Sequence, residues 1–247
     1  MVRNPIPSMP LIEYERALAA HRAACRERPV LHALFDPELE PGLMLRFLIE
    51  YCANGVLMTA PVSGWIERAG TRCQELGLVA LGSALSAHAR HEAGHDRLFV
   101  ADAGRLVERY NREHLAELDA AELLARPATP AVARYVALHE RSIAGPTPYA
   151  QVAIELEIEA LSVDVGAPLL RQIERKLDAS VLECLSFLTE HVALDAGHTA
   201  LNRRMLAGLL EAKPEALDVL VETGRLALDT YLDFLAECFE GARAERS

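Results

Sequence analysis

The apolar content of this chain sits in Ala and Leu rather than in alternating β-branched residues, and that most narrows what it can fold into. Hydrophobic residues make up 51% of the 247 and aromatics only 5%, with no run in strand period. Helical periodicity covers nearly the whole length, so the chain reads as all-α. Helices are expected over about 11–27, 43–70 with a break near Pro61, 72–112, 131–143, 149–176, 179–211 and 214–241. Residues 29–41 read as a Pro-bounded turn and 126–130 as a loop. Gly82, Gly94 and Gly104 are weak points of the third helix, and Pro168 is a kink in the fifth. Seven helices with short joins make one bundle, a single domain over 1–247 with residues 1–10 and 242–247 frayed.

Charge and cysteine usage exclude several classes. The formal net charge is −11, from 36 acidic and 25 basic residues. Nucleic acid and anionic membranes need a basic footprint, so neither is an expected partner. The five cysteines, at 25, 52, 73, 184 and 238, are odd in number, widely spaced and without a CxxC. They read as reduced thiols rather than a disulfide frame or zinc knuckle. No run of eighteen apolar residues suggests a membrane span, and the first residues lack the apolar core of a secretory signal. The expected location is the cytoplasm.

The chemistry gathers in three helical stretches. In the first, Glu92 and His95 are three apart and share a helix face, with His88 and His91 at its border. Glu-x-x-His on an inward helix is a recurring di-metal ligand pair, although a solvated helix gives the same spacing. In the second, His191, Asp195 and His198 fall on one stripe at offsets of four and seven. Cys184, Leu185, Phe187, Leu188, Leu194 and Leu201 flank it, which suggests a helix buried on much of its circumference, with Glu190 and Thr199 on the surface. In the third, Glu155, Glu157 and Glu159 alternate with apolar residues, and at least one of them is expected to be solvated. Glu159 is the preferred inward acid because Ser162, Val163 and Gly166 continue its stripe, but periodicity alone leaves Glu155 nearly equal. Together, Glu92, His95, Glu159, His191, Asp195 and His198 offer three carboxylates and three imidazoles. Mixed oxygen and nitrogen donors without sulfur suit iron or manganese.

At these residues the sequence resembles the haem-oxygenase-like di-iron oxidases and oxygenases, within the helical superfamily that includes thiaminase-II-like and pyrroloquinoline-quinone-synthase-like proteins. His191, Asp195 and His198 match the His-x3-Asp-x2-His of that family's third core helix. Glu92 and His95 match the Glu and His of its first, in the close-spaced form. Glu159, followed by Ser162, Gly166, Leu169 and Leu170, matches its second, and this separates Glu159 from Glu155. Some members space the first pair more widely; here His88 and Leu85 stand at those positions, so Glu92 alone can serve. The resemblance spans roughly residues 40–240. It implies a haem-oxygenase-like bundle, two iron ions, of which the second is labile, a mobile third core helix, and O2 as co-substrate. It further implies oxidation of a small amine, amino acid or carboxylic acid through a peroxo-diferric species, by N-oxygenation, C–C cleavage or desaturation in specialised metabolism.

His88, His91, Asp96 and Asp102 are candidates to hydrogen-bond the ligand imidazoles. Arg90, Arg97, Arg171 and Arg175 are candidates for a substrate carboxylate, and Tyr51, Met58 and Trp65 for core or pocket lining. The expected partner is a small-molecule substrate, and a homodimer is compatible with a chain of this size. Three other readings use different residues. A haem protein would need His21 as axial ligand. A thiaminase-II-like or cofactorless enzyme on the same fold would use Cys52, Cys73 or Cys184, or no metal. A helical module could bind metal without turnover.

Overall fold

The structure, a computed structural model, describes residues 9–114 and 117–244. Its helices are α1 (Met9–Arg26), α2 (Pro29–Phe35), α3 (Pro41–Thr59), α4 (Val62–Glu75), α5 (Val79–Glu92) and α6 (Asp96–Glu113). They continue as α7 (Ala120–Leu124), α8 (Pro130–Ala144), α9 (Gln151–Leu177), α10 (Ser186–Ala212) and α11 (Leu217–Ala244). Short 3₁₀ turns at Pro148–Ala150, Ala179–Cys184 and Pro214–Ala216 lead into the last three. There is no strand among the described residues.

The all-α expectation holds, but the described residues form eleven helices where seven were expected. The surplus comes from short interruptions that leave the apolar period intact. The expected turn at 29–41 contains α2, because Pro29 at a first helical turn loses no hydrogen bond it would otherwise make. The expected helix at 72–112 is broken twice, at Gly77 with φ 81° and at Gly94 with φ 92°. Those backbone angles favour glycine and end a right-handed helix. Gly82 and Gly104 stay helical, and Pro168 lies inside α9 without ending it. The helix expected from 179 begins as a 3₁₀ turn, and α10 starts only at Ser186. Asp102 on α6 accepts from the Ser186 and Phe187 amides at 2.9 and 2.8 Å and so caps α10. Met9–Pro10 and 242–244 are helical, and Ala242 is buried, so fraying does not reach them. Residues 1–8 and 245–247 lie outside the described residues.

Helix α9 runs through the centre, packed on α3, α8, α10 and α11, and α10 also meets α1, α5 and α6. One contiguous apolar core, including Tyr14, Phe47, Trp65 and Phe234, joins these elements. One stretch within Pro41–Glu75 is long and apolar enough to cross a membrane by composition, but 78% of that window is buried inside the fold.

None of the three alternating acids of α9 is solvated, contrary to expectation: Glu155, Glu157 and Glu159 are all buried. Glu157 turns away from the other two toward α1. It accepts from the Tyr14 hydroxyl at 2.9 Å and from Arg22 Nε and Nη2 at 2.8 and 2.6 Å. A carboxylate buried in this way is bearable because it is paired and fully hydrogen-bonded. Replacing it with alanine leaves the buried Tyr14 hydroxyl without its partner and Arg22 with Glu15 alone. We expect Glu157→Ala to lose about 1–3 kcal/mol in denaturant unfolding.

Candidate metal centre

Five of the six expected ligands converge, and His88 joins them. Gly94 makes this possible at the first pair. Glu92 is the last residue of α5 and His95 precedes α6, so they do not share a continuous helix face as their spacing suggested. The turn between them still brings His95 Nδ1 to 3.0 Å from Glu92 Oε2. The other oxygen, Oε1, lies 3.2 Å from His198 Nδ1. Glu92 therefore belongs to two groups of converging donors, one with His95 and His191 and one with His88, Glu159 and His198.

Each donor is positioned by its own element. On α10, His191 Nδ1 donates to the Phe187 carbonyl at 2.8 Å, which leaves Nε2 as the free donor atom. On α9, Glu159 Oε2 accepts from Asn202 Nδ2 at 2.6 Å, while Oε1 stands 3.2 Å from His88 Nε2 and 3.8 Å from His198 Nδ1. Asp195 is buried at the edge of this cluster, with Oδ1 4.0 Å from His198 Nδ1. It is in neither converging group. Helices α9 and α10 approach closely at Gly166, where an added Cβ would come within 2.6 Å of Val192 Cγ2. The small residues after Glu159 thus serve a close helix neighbour.

Several sequence expectations need correction. Val163 and Leu194 are each 40% exposed, so α10 is open on one side and Val163 does not continue the inward stripe. Thr199, expected on the surface, is buried, whereas Glu190 is exposed. Asp102 serves the α10 N-terminus rather than an imidazole. His88, expected as an outer partner, is fully buried among the donors themselves. His91 is exposed but close, its ring 6.2 Å from that of His198. Asp96 is half-buried at the start of α6.

Two groups of polar residues escaped sequence reasoning. Asn202 extends the stripe of His191, Asp195 and His198 by another four residues, a signal that was available. The second group depends on three separate helices. Gln151 donates from Nε2 to Glu155 Oε1 at 2.6 Å and contacts His139 Nδ1 at 2.8 Å. His139 stacks on Trp65 with centroids 4.0 Å apart. Burial holds His139 down to about 3, so it is neutral.

Burial dominates the electrostatics of these side chains. Burial pushes Glu155 up to about 8 and Asp195 up to about 6, and it raises Glu159 as well. Burial would also raise Glu92, but the hydrogen bond from His95 and the charges of His95, His88 and His198 hold it below its usual range. That same hydrogen bond raises His95, whereas burial lowers His191 and His198. His88 Nδ1 and Nε2, Glu92 Oε1, Asp195 Oδ1 and His198 Nδ1 are buried without a hydrogen-bond partner. The short His88, Glu92 and His198 contacts lack hydrogen-bond geometry. Buried donors that face one another unsatisfied fit metal coordination, and the mixed carboxylate and imidazole set suits iron or manganese.

An apolar cavity of about 130 Å³ opens beside the donors. Glu92, Glu155, Glu159, His191 and Asp195 form its polar end. Tyr51, Met58, Phe99, Phe187, Tyr231 and Leu235 are among its other walls. No Lys, Arg or Cys of the described residues lines it, so Arg90, Arg97, Arg171 and Arg175 stand away from the cavity. Trp65 belongs to the core instead. Cys52, Cys73 and Cys184 have thiols raised by burial, Cys73 to about 12, and do not reach the cavity. His21 is engaged 3.2 Å from Asp229 and also lies apart from it.

No protein-family model matches the sequence, and no curated protein matches it significantly. Solved structures do. A domain of unknown function with a haem-oxygenase-like fold from Shewanella denitrificans aligns with TM-score 0.79 and 19% identity, over 96% of this chain and 95% of that one. A TenA homolog from Pseudomonas syringae pv. tomato gives 0.72 and 14%, over 95% and 94%. A CADD-like protein of unknown function from Nostoc punctiforme gives 0.66 and 14%, over 94% and 99%. The chain has the haem-oxygenase-like fold that the resemblance implied.

Proposed function

We propose that this protein is an O2-dependent non-haem di-iron oxidase or oxygenase whose substrate is a small amine, amino acid or carboxylic acid with an apolar body. The observation that carries the proposal is the pair of converging donor groups joined by Glu92. When bound there, two ferrous ions supply the reduction of O2 that such an oxidation requires. Glu92 would serve both positions, and one oxygen of Glu159 is held by Asn202, which would leave the other for the centre. Phe187 orients the His191 ring from below, with stacked centroids 3.8 Å apart, while its carbonyl sets the tautomer.

The cavity dictates how a substrate sits. With no cationic side chain in its wall, a charged head group lies at the carboxylate and imidazole end. The apolar body lies against Phe99, Phe187 and Tyr231, which exclude water from the reacting carbon or nitrogen. The Tyr51 and Tyr231 hydroxyls, 3.4 Å apart, add polar atoms to side chains of the wall.

Anaerobic titration with Fe(II) is expected to saturate at about two ions per chain, and admitting O2 should then give substrate-dependent uptake. Uptake of no metal, or turnover that persists in chelated protein, would instead support the metal-independent enzymes of this fold. Two bound ions with no O2 uptake across amines, amino acids and fatty acids would support a metal-binding module.

A further inference from the structure

We infer that Leu31 and Val165 set the length of the apolar body that the site accepts. This rests on the reading of the cavity as a substrate pocket. Adjoining the cavity, a second and more open cleft of about 650 Å³ is lined by Arg26, His32, Phe35, Asp164 and Pro168 among others. Leu31 and Val165 line both spaces and therefore form the partition between them.

The volumes give the partition a consequence. An apolar protein cavity of about 150 Å³ takes one benzene ring. The inner cavity, at about 130 Å³, thus holds a body of roughly six carbons. A longer chain has to pass between Leu31 and Val165 into the outer cleft. The partition is firm on the α2 side. Leu31 is 4% exposed, with Val30 and Leu34 buried beside it. Just past α2, Gln172 Nε2 donates to the Asp36 carbonyl at 3.0 Å, and Lys176 Nζ donates to that of Pro37. The Arg26–Asp164 ion pair crosses the outer cleft at 2.5 Å, but both partners are about half exposed, so it is a weak latch.

Isothermal titration of the purified full chain with straight-chain carboxylates from propanoate to hexadecanoate tests this, with the matching n-alkylamines as a second head group. In the wild type, affinity should rise about fourfold per methylene to hexanoate or octanoate and then level or fall. Leu31→Ala should move the optimum at least four carbons longer and bind dodecanoate at least tenfold more tightly than the wild type. Val165→Ala, at a half-buried position, should shift the profile in the same direction and serves if Leu31→Ala does not fold. Identical length profiles in wild type and folded variants would overturn the inference, as would no binding of any chain. A shifted profile in a protein that takes up no iron would keep the partition and remove the oxidase reading.

Discussion

Glu92→Ala should empty both metal positions at once, because Glu92 is the only side chain in both converging groups. Bound metal after anaerobic loading should fall from about two ions per chain to near zero. The affinity loss should exceed the 10–100-fold typical of a lost outer-shell partner, and substrate-dependent O2 uptake should vanish with it. Glu159→Gln gives the contrast. Glu159 belongs only to the group of His88 and His198, so about one ion should remain with Glu92, His95 and His191. Elemental analysis of the two variants beside the wild type reads the difference. Equal stoichiometry in Glu92→Ala and wild type would mean that the carboxylate does not join two sites.

The second large effect concerns stability. Glu155→Gln should stabilise the metal-free protein at alkaline pH by a few kcal/mol and leave it unchanged near pH 4. Burial raises Glu155 to about 8 in the folded chain, against an ordinary glutamate value of 4.5. A carboxyl raised in this way stabilises the fold fully below its unfolded value, and that contribution is lost as pH climbs through the folded one. The wild type should weaken between about pH 4.5 and 8 relative to the variant, whose amide does not titrate. The buried His139, held down to about 3, destabilises both proteins equally as pH falls below 6.5, so it cancels in the comparison. Thermal melts of chelated protein from pH 4 to 9 should show the gap opening to roughly 5–10 °C at the alkaline end. A gap independent of pH would mean that Glu155 is ionised throughout.

How much of the site could be read in advance varied with how local the signal was. The His191, Asp195 and His198 stripe follows from helix pitch, and α10 carries it as expected, with Asn202 extending it. Glu92 and His95 meet for a different reason than their spacing suggested. The joint at Gly94 turns them together, and helical pattern cannot distinguish a three-residue offset within a helix from one across a break. The acids of α9 show the limit most clearly. Alternation placed Glu157 opposite Glu155 and Glu159, which is correct. Whether the opposite side met water or Arg22 and Tyr14 depended on α1, more than 130 residues away in the chain. His88 had the same fate. Four residues before Glu92, its spacing allowed a ligand or an outer partner, and only the placement of α9 and α10 brought it against Glu159 and His198.

The helical class, the order of the helices and most of the donor residues were legible in the sequence, because each depends on local period and on where proline and glycine interrupt it. The tertiary structure alone decided which donor side chains converge, which buried acid is paired with Arg22 and Tyr14, and how far the apolar cavity extends before Leu31. Those outcomes are set by distances between side chains on helices remote in sequence. Helical pitch orients a residue around its own axis but carries no information about what the neighbouring axis presents to it.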